Sequence, residues 1–371
     1  MTRLEFMRIH SFLHLVDNER ANQDDKLYKV RPLLTMLTRE FQRYYVLNKE
    51  ITIDEKMIKY TGRISFLQYV RNKPVKLGFK VFILSDAISA YVYNWRFYTG
   101  KENNARTFNL SQQIVMNPIQ GLENRNHHIY FDSYYSSIPI TRELAIKGFG
   151  CVGTINKSRR LIPPAIKDPQ RLQEGETVFR KLGNTVLLVY KDKKVARFIT
   201  SIHGRQLSQS GRPQIVEDYN RFMRGVDKGN QHSSYYHPNH KSMKWWKAIF
   251  SSILQVCINN AYIIFKENHP FRSPAPLKFR EELVLELIEN YVRERHQQQF
   301  NTLVRSRIIP GLHQIGMRQQ RNCFICSTRE ERVTTRYYCI ECDRNICVSP
   351  CFYILHTKLN LNSRKKELNI A

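Results

Sequence analysis

The sequence predicts an α/β fold followed by a small separate module, and three observations carry that expectation. Between residues 51 and 99 three runs, ITIDEKMIKY, GFKVFILSDA and YVYNWRFYT, alternate apolar and polar residues and are separated by Gly, Pro and Asn. Between 109 and 147 a helical stretch leads into a short strand pattern ending at Asp132, and IPITRELAIK reads as the helix that follows. Six of the eight cysteines fall within 29 residues, from Cys323 to Cys351. With 371 residues there is room for two or three domains and at least one sizeable core.

Taken in order, helical periodicity covers residues 3–16 through Phe6, Ile9, Leu13 and Val16. A second helix covers 25–47 through Leu27, Leu34, Leu37, Phe41 and Tyr45, with Pro32 expected to start or kink it. The three runs of 51–99 then read as consecutive antiparallel strands. Residues 151–202 return to strands, broken at Gly183-Asn184 and Asp192-Lys193, both good turns, so a β-rich insert is expected here. From 244 to 266 apolar residues recur at Trp246, Ile249, Phe250, Ile253, Cys257, Ala261 and Ile264, a stripe that reads as core. FRSPAPL is a proline-bearing linker, and 278–296 form an amphipathic helix through Leu283, Leu287 and Tyr291.

The formal net charge is +27, spread along most of the chain rather than confined to a tail. Such a field attracts a polyanion, which makes nucleic acid the expected partner, ahead of an anionic membrane surface. The basic residues are interleaved with aromatics, and 42% apolar content argues for folded domains. No run is read as long enough to span a bilayer, and no signal peptide is recognised at the amino terminus, so an intracellular protein is expected. Arg63, Arg71, Lys73, Lys76 and Lys101 are the candidates for phosphate contact; the plainer role for each is a solvated face. Trp245 and Trp246 could stack on an extruded base, but core packing is their expected role.

The cysteines are spaced Cys323-x2-Cys326, Cys339-x2-Cys342 and Cys347-x3-Cys351, with His356 just beyond. In an intracellular chain this pattern points to zinc rather than disulfides, because each C-x2-C pair can grip a tetrahedral ion from a tight turn. Seven ligands leave two complete sites one short, and His313 in GLHQIG is the candidate eighth. An interleaved arrangement is expected, the first and third pairs on one ion and the second and fourth on the other. Cys151 and Cys257 read as ordinary buried thiols.

Three separated acids suggest a second kind of metal site. Asp132 ends the strand of HHIYFDSYYSS, Asp54 lies in ITIDEKMIKY, and Asp227 opens a helix in FMRGVDKGNQ. Singly, each is more ordinarily a turn former or cap. Together they could hold Mg²⁺, a hard cation that takes carboxylates and substrate phosphate oxygens, and two such ions can assist in-line displacement at phosphorus.

The sequence resembles the piggyBac transposases and the domesticated proteins derived from them. The resembling blocks are ITIDEKMIKYTGRISFLQYVRNKPVKLGFK, RFYTGK, IYFDSYYSS with CVGTINKSRR, KDKKVARFITSIH, YNRFMRGVDKGNQ with SMKWW, and the cysteine-rich tail. They follow the family's order over about residues 5–357. The resemblance implies an RNase H-like catalytic core with a β-rich insertion before its last acid, a preceding helical dimerisation and DNA-binding region, and a nuclear protein. It makes Asp54, Asp132 and Asp227 the catalytic, Mg²⁺-holding aspartates. Many members carry a further acid three residues after the third, where this chain has Asn230, an amide that can still coordinate through oxygen. The implied reaction is hydroxyl attack at transposon ends, hairpin formation on flanking TTAA and rejoining without a scar, by a homodimer on double-stranded DNA. The alternative is a co-opted copy that binds DNA or chromatin without cutting.

The resulting expected layout is a shortened helical region over 1–48 and a core over 49–150 and 216–268 with an insertion at 151–215. A helical linker at 269–309, a zinc-binding domain at 310–357 and a basic tail at 358–371 complete it.

Overall fold

In the computed structural model, residues 2–19, 22, 24–100, 110–236, 242–272, 274–288, 313–328 and 330–357 are described. The chain forms two compact units, residues 1–274 and 275–371. The first unit begins with α1 (Arg3–Phe12), whose amino terminus carries a reciprocal capping box between Thr2 and Glu5. Its apolar residues Leu4, Phe6, Ile9 and Phe12 are exposed, so the periodicity expected to bury this helix does not do so. α2 (Arg31–Tyr44) has Pro32 in its first turn, where the fixed φ of proline suits a helix, and buries Leu34 and Phe41. Phe41 meets Tyr91 and Trp95 edge-on, which seats the helix on the sheet.

The sheet is built from β1 (Glu50–Lys59), β2 (Gln68–Tyr69), β3 (Leu77–Asp86) and β4 (Val92–Phe97), then β5 (His128–Phe131) and β6 (Gly150–Thr154), and finally β7 (Thr177–Leu182), β8 (Thr185–Lys191) and β9 (Val195–Thr200). Its order is β2-β3-β1-β5-β6-β9-β8-β7, with β4 also paired to β3. β1, β5 and β6 are parallel neighbours, and every other pair is antiparallel. The expected consecutive antiparallel strands are therefore present as β1, β3 and β4. The short β2, which the sequence pattern did not reveal, is added at the β3 edge. The strands expected as an insert, β7–β9, extend the same sheet through hydrogen bonds between β9 and β6. The turns at Gly183-Asn184 and Asp192-Lys193 join them as predicted.

Helices α3 (Leu110–Met116), α4 (Ile138–Ile146) and α5 (Pro164–Lys167) connect the strands. α4 is capped by the Ser137 hydroxyl, which accepts from the Ile140 N–H at 3.3 Å. After β9 come α6 (Gln214–Phe222), α7 (Gly225–Tyr235) and α8 (Trp245–Asn268). α8 corrects one sequence expectation. With 24 residues and a mean hydropathy of 1.6 over its most apolar stretch, it is long and apolar enough to cross a bilayer by length and composition. Its Trp246, Ile249, Ile253, Val256 and Ile263 nevertheless pack into the main core. The Asn260 amide also accepts from the Val92 N–H at 3.0 Å and donates to the Val92 carbonyl at 2.8 Å, tying the helix to β4. Trp245 packs against Phe66 and Tyr28, so both tryptophans serve the core.

In the second unit, residues 276–288 are helical (α9), with Leu283 half-buried and Leu287 exposed; Tyr291 lies outside the described residues. A three-stranded sheet of β10 (Ile315–Asn322), β11 (Thr334–Cys339) and β12 (Arg344–Asn345) precedes α10 (Cys351–Thr357). Its small core comprises Cys323, Ile325, Ile346, Cys351, Ile354 and Leu355.

Candidate active site and metal centres

Asp54 and Asp132 are brought side by side by strand pairing. The parallel register of β1 and β5 runs from Glu50–His128 to Ile53–Phe131, so the next residue on each strand is an aspartate. Both lie at the carboxy-terminal end of this pairing, where β5 stops and β1 continues against β3 alone. Backbone donors orient both carboxylates: the Glu55 N–H donates to Asp54 Oδ1 at 2.7 Å, and the Tyr134 N–H to Asp132 Oδ1 at 2.8 Å.

Three side chains fix the turn that carries Asp132. The Tyr135 hydroxyl donates to Glu55 Oε2, the Ser136 hydroxyl to the Thr154 carbonyl, and Arg159 Nη2 to the carbonyls of Ser133 and Tyr134. Tyr135 and Ser136 are fully buried.

Asp227 arrives from a distant part of the chain through close helix-on-strand packing. It sits in the first turn of α7, where an acid also complements the helix dipole. Gly225, two residues earlier, is what lets α7 lie down on β1. A Cβ there would fall 2.6 Å from Thr52 Oγ1 and 2.7 Å from the Asp86 carbonyl oxygen, distances that no side chain tolerates. Thr52 is two residues before Asp54 and therefore on the same face of β1. One turn further, Gly229 approaches the Ala90 carbonyl, and Ser233 accepts from Asn259 of α8 at 2.9 Å.

The three acids act on common neighbours, although among the described residues their carboxylate oxygens do not all gather within metal-ligand spacing of one another. Burial first, then Asp132, Asp54 and Asp227, push the Tyr219 phenol up to about 12. Burial and the neighbouring Glu55 charge push Asp54 up to about 7 despite Lys73, and Asp132 is raised chiefly by burial. Burial works against Lys73, but Asp54, Glu55 and Asp227 together raise it. Burial and Glu55 account for most of these shifts and Asp132 adds a smaller repulsion to Asp54; oxygen donors so placed would suit a hard divalent cation. Asn230 lies three residues after Asp227 on α7, on the neighbouring helix face, and is half-buried.

Among the basic candidates, Arg63, Arg71 and Lys76 are exposed, as a phosphate contact requires. Lys73 departs from that expectation of a solvated face: it is half-buried and pairs with Glu55 Oε1 at 3.0 Å. Lys101 lies outside the described residues. The sequence reading missed Glu55 and Tyr135. Glu55 adjoins Asp54 in ITIDE and Tyr135 is in FDSYY, but nothing in either motif says that the two side chains meet.

In the second unit the eight candidate ligands form two tetrads, Cys323, Cys326, Cys347 and Cys351 in one and His313, Cys339, Cys342 and His356 in the other. This is the interleaved grouping, first pair with third and second with fourth. A tetrahedral zinc with bonds of about 2.3 Å to sulfur and 2.0 Å to nitrogen sets its ligands roughly 3.8 Å (sulfur to sulfur) and 3.5 Å (sulfur to nitrogen) apart. Cys326 and Cys347 sulfurs are 3.7 Å apart, His313 Nδ1 is 3.4 Å from Cys339 Sγ, and His356 Nε2 is 3.5 Å from Cys342 Sγ. The cysteines are free thiols, so spacing and donor chemistry fit two zinc ions.

Outer contacts agree. The Phe352 carbonyl can only accept, so His356 Nδ1 carries the proton at 2.7 Å and Nε2 faces the tetrad. The Cys347 N–H donates to Cys323 Sγ at 3.5 Å. Ile325, Ile346, Ile354 and Leu355 fill the small core, while Phe324 and Ile340 are exposed. Cys151 is fully buried and Cys257 partly so, both packed in the first unit's core as expected.

Residues 1–262 match the family model described as Transposase IS4. PiggyBac transposable element-derived protein 3 of Homo sapiens is 24% identical over 315 residues, 78% of this chain and 52% of that protein. PiggyBac transposable element-derived protein 2 of Homo sapiens is 26% identical over 286 residues, 70% of this chain and 48% of that protein. The chain thus spans about half the length of these relatives. A solved chain from the cryo-EM structure of the piggyBac transposase synaptic complex with hairpin DNA superposes with a TM-score of 0.76 at 25% identity, covering 80% of this chain and 64% of that one. The large mixed sheet resembles that transposase's catalytic domain. The chain belongs to the piggyBac transposase family, within the IS4-like DDE transposases.

Proposed function

We propose that this chain is a DNA transposase that cuts double-stranded DNA at transposon ends and rejoins it at TTAA through an RNase H-like core. The observation that supports this reading is the pairing that sets Asp54 and Asp132 side by side, with the first turn of α7, which carries Asp227, packed closely on β1. The three aspartates would hold two Mg²⁺ ions, with the Asn230 amide as a further oxygen donor. Bound Mg²⁺ supplies Lewis-acid activation of the attacking hydroxyl and stabilises the leaving oxygen. The protein's share is to fix the carboxylates: Glu55 and Tyr134 N–H groups orient two of them, and Gly225 sets the third. Arg63, Arg71 and Lys76 would neutralise phosphates along the duplex.

The second unit would carry two structural zinc ions and help to recognise transposon ends. The protein would act as a homodimer in the nucleus. Asn230, in the place of an acid, favours a second reading, a transposase-derived protein that binds DNA without cutting it.

The test is cleavage, with Mg²⁺, of a duplex carrying the terminal sequence of the chain's own genomic element beside TTAA. Asp54→Asn, Asp132→Asn and Asp227→Asn should each abolish cleavage and leave DNA binding intact or tighter. DNA binding without any cleavage by the wild type would establish the second reading instead.

A further inference from the structure

Resting on the strand-cleavage reading, we propose that Glu55 is a positioning residue that holds Lys73 against the phosphate to be cut, with Tyr135 locking Glu55 in place. Both Glu55 carboxylate oxygens are engaged, Oε1 by Lys73 Nζ at 3.0 Å and Oε2 by the Tyr135 hydroxyl. A carboxylate so occupied is poorly placed to ligate metal, although it adjoins Asp54 in the chain. Its role is to aim a cation.

Lys73 is well suited to be aimed. It sits at the tip of the β2–β3 hairpin, which the Val70 N–H closes by donating to the Lys76 carbonyl at 2.7 Å. Pro74 follows directly and restricts the Lys73 backbone to extended conformations. Its ammonium has three protons, of which Glu55 takes one, leaving donors for a phosphate oxygen. Lys73 acts electrostatically on Asp54, Asp132 and Asp227 together and so lies where a phosphate bound at those carboxylates would be; Lys80 also acts on Glu55. Tyr135 is fully buried and belongs to the turn that also carries Asp132, so the same segment fixes a carboxylate and, through Glu55, the lysine.

The experiment compares Lys73→Gln, Lys73→Arg, Glu55→Gln and Tyr135→Phe with the wild type in the full zinc-loaded chain. Single-turnover cleavage of the same TTAA duplex is measured beside DNA affinity and Mg²⁺ affinity by calorimetry. Lys73→Gln should slow cleavage about 10²- to 10³-fold, the usual loss when one transition-state donor is removed. DNA affinity should stay within a few fold of the wild type. Mg²⁺ should bind as tightly as before or more tightly, because a like charge is gone. Lys73→Arg should regain part of the rate. Glu55→Gln should slow cleavage with Mg²⁺ affinity kept, and Tyr135→Phe should do so more mildly.

A Mg²⁺ affinity lowered tenfold or more in Glu55→Gln would make Glu55 a ligand and overturn the inference. So would wild-type cleavage by Lys73→Gln, or a loss confined to DNA affinity. The Lys73 variants sit on a hairpin tip and keep the inference testable even if a Glu55 or Tyr135 variant misfolds. A wild-type chain that binds no Mg²⁺ through Asp54 sinks the cleavage reading and this one with it. Wild-type cleavage with an indifferent Lys73 sinks this inference alone.

Discussion

The three aspartates of the first unit come from residues 54, 132 and 227, whereas the eight ligands of the second fall between His313 and His356. The first set is held by a large sheet and a core of fully buried side chains such as Ile51, Ile53, Leu84, Ile129 and Tyr135. The second is held by six core residues, two of them cysteines of the tetrads themselves. In the first unit the fold precedes the site and would exist without metal. In the second the ligands are a large part of what there is to fold, since so few apolar side chains do not offset the entropy of ordering the chain.

Metal removal should separate the two units most sharply. Native mass spectrometry should find two zinc ions per chain, and one ion would mean that His313 is a bystander. Chelation, or Cys323→Ser, should leave residues 313–357 open to protease within minutes while residues 1–274 stay resistant. Equal resistance in both units would break the comparison. Apparent zinc-binding energies of about 10–16 kcal/mol in small modules make this the largest expected effect.

A smaller effect is expected where the fold places an acid. Gly225→Val should cost about 1–3 kcal/mol by overpacking α7 on β1. It should also cut cleavage about 100-fold, because a displacement of roughly 1 Å suffices for that. Unchanged cleavage and unfolding temperature would show that close α7–β1 contact does not set Asp227.

The pH response of the acid cluster follows from Asp54, which burial and Glu55 push up to about 7. Metal requires the carboxylate, so Mg²⁺ affinity should be flat above about pH 7 and fall as pH drops below it, by up to about tenfold per unit. Calorimetric titration between pH 5.5 and 8.5 checks this, and a flat profile would remove Asp54 from the site.

The smallest effect is on stability without Mg²⁺. The folded chain holds the Asp54 proton up to about pH 7, while the unfolded chain releases it near the ordinary value of 3.8, so stability falls as pH rises through that window. Asp54→Asn should therefore unfold at a higher temperature than the wild type at pH 7.5, by on the order of 2 °C or more, with the gap closing toward pH 4. A lower unfolding temperature at pH 7.5 would contradict the crowding of charge at this end of β1.

By itself the sequence determined what depends on short spacing. The Cys-x2-Cys pairs, the two β turns after β7 and β8, the helix start at Pro32 and the strand that delivers Asp132 are local, because a turn or a strand end is specified within a few residues. Family motifs added which three acids to watch. Only the tertiary structure decided the rest. The apolar stripe of α1 is exposed whereas that of α8 is buried as its sequence predicted, because burial depends on what a helix meets and not on its own period. Asp54 and Asp132 become neighbours through a parallel register that no single segment encodes, and the first turn of α7, which carries Asp227, approaches β1 because Gly225 leaves room for a helix on Thr52. Lys73 turns from a surface charge into a partner of Glu55 for the same reason: β3 pairs with β1, and that pairing brings the β2–β3 hairpin that carries Lys73 to Glu55.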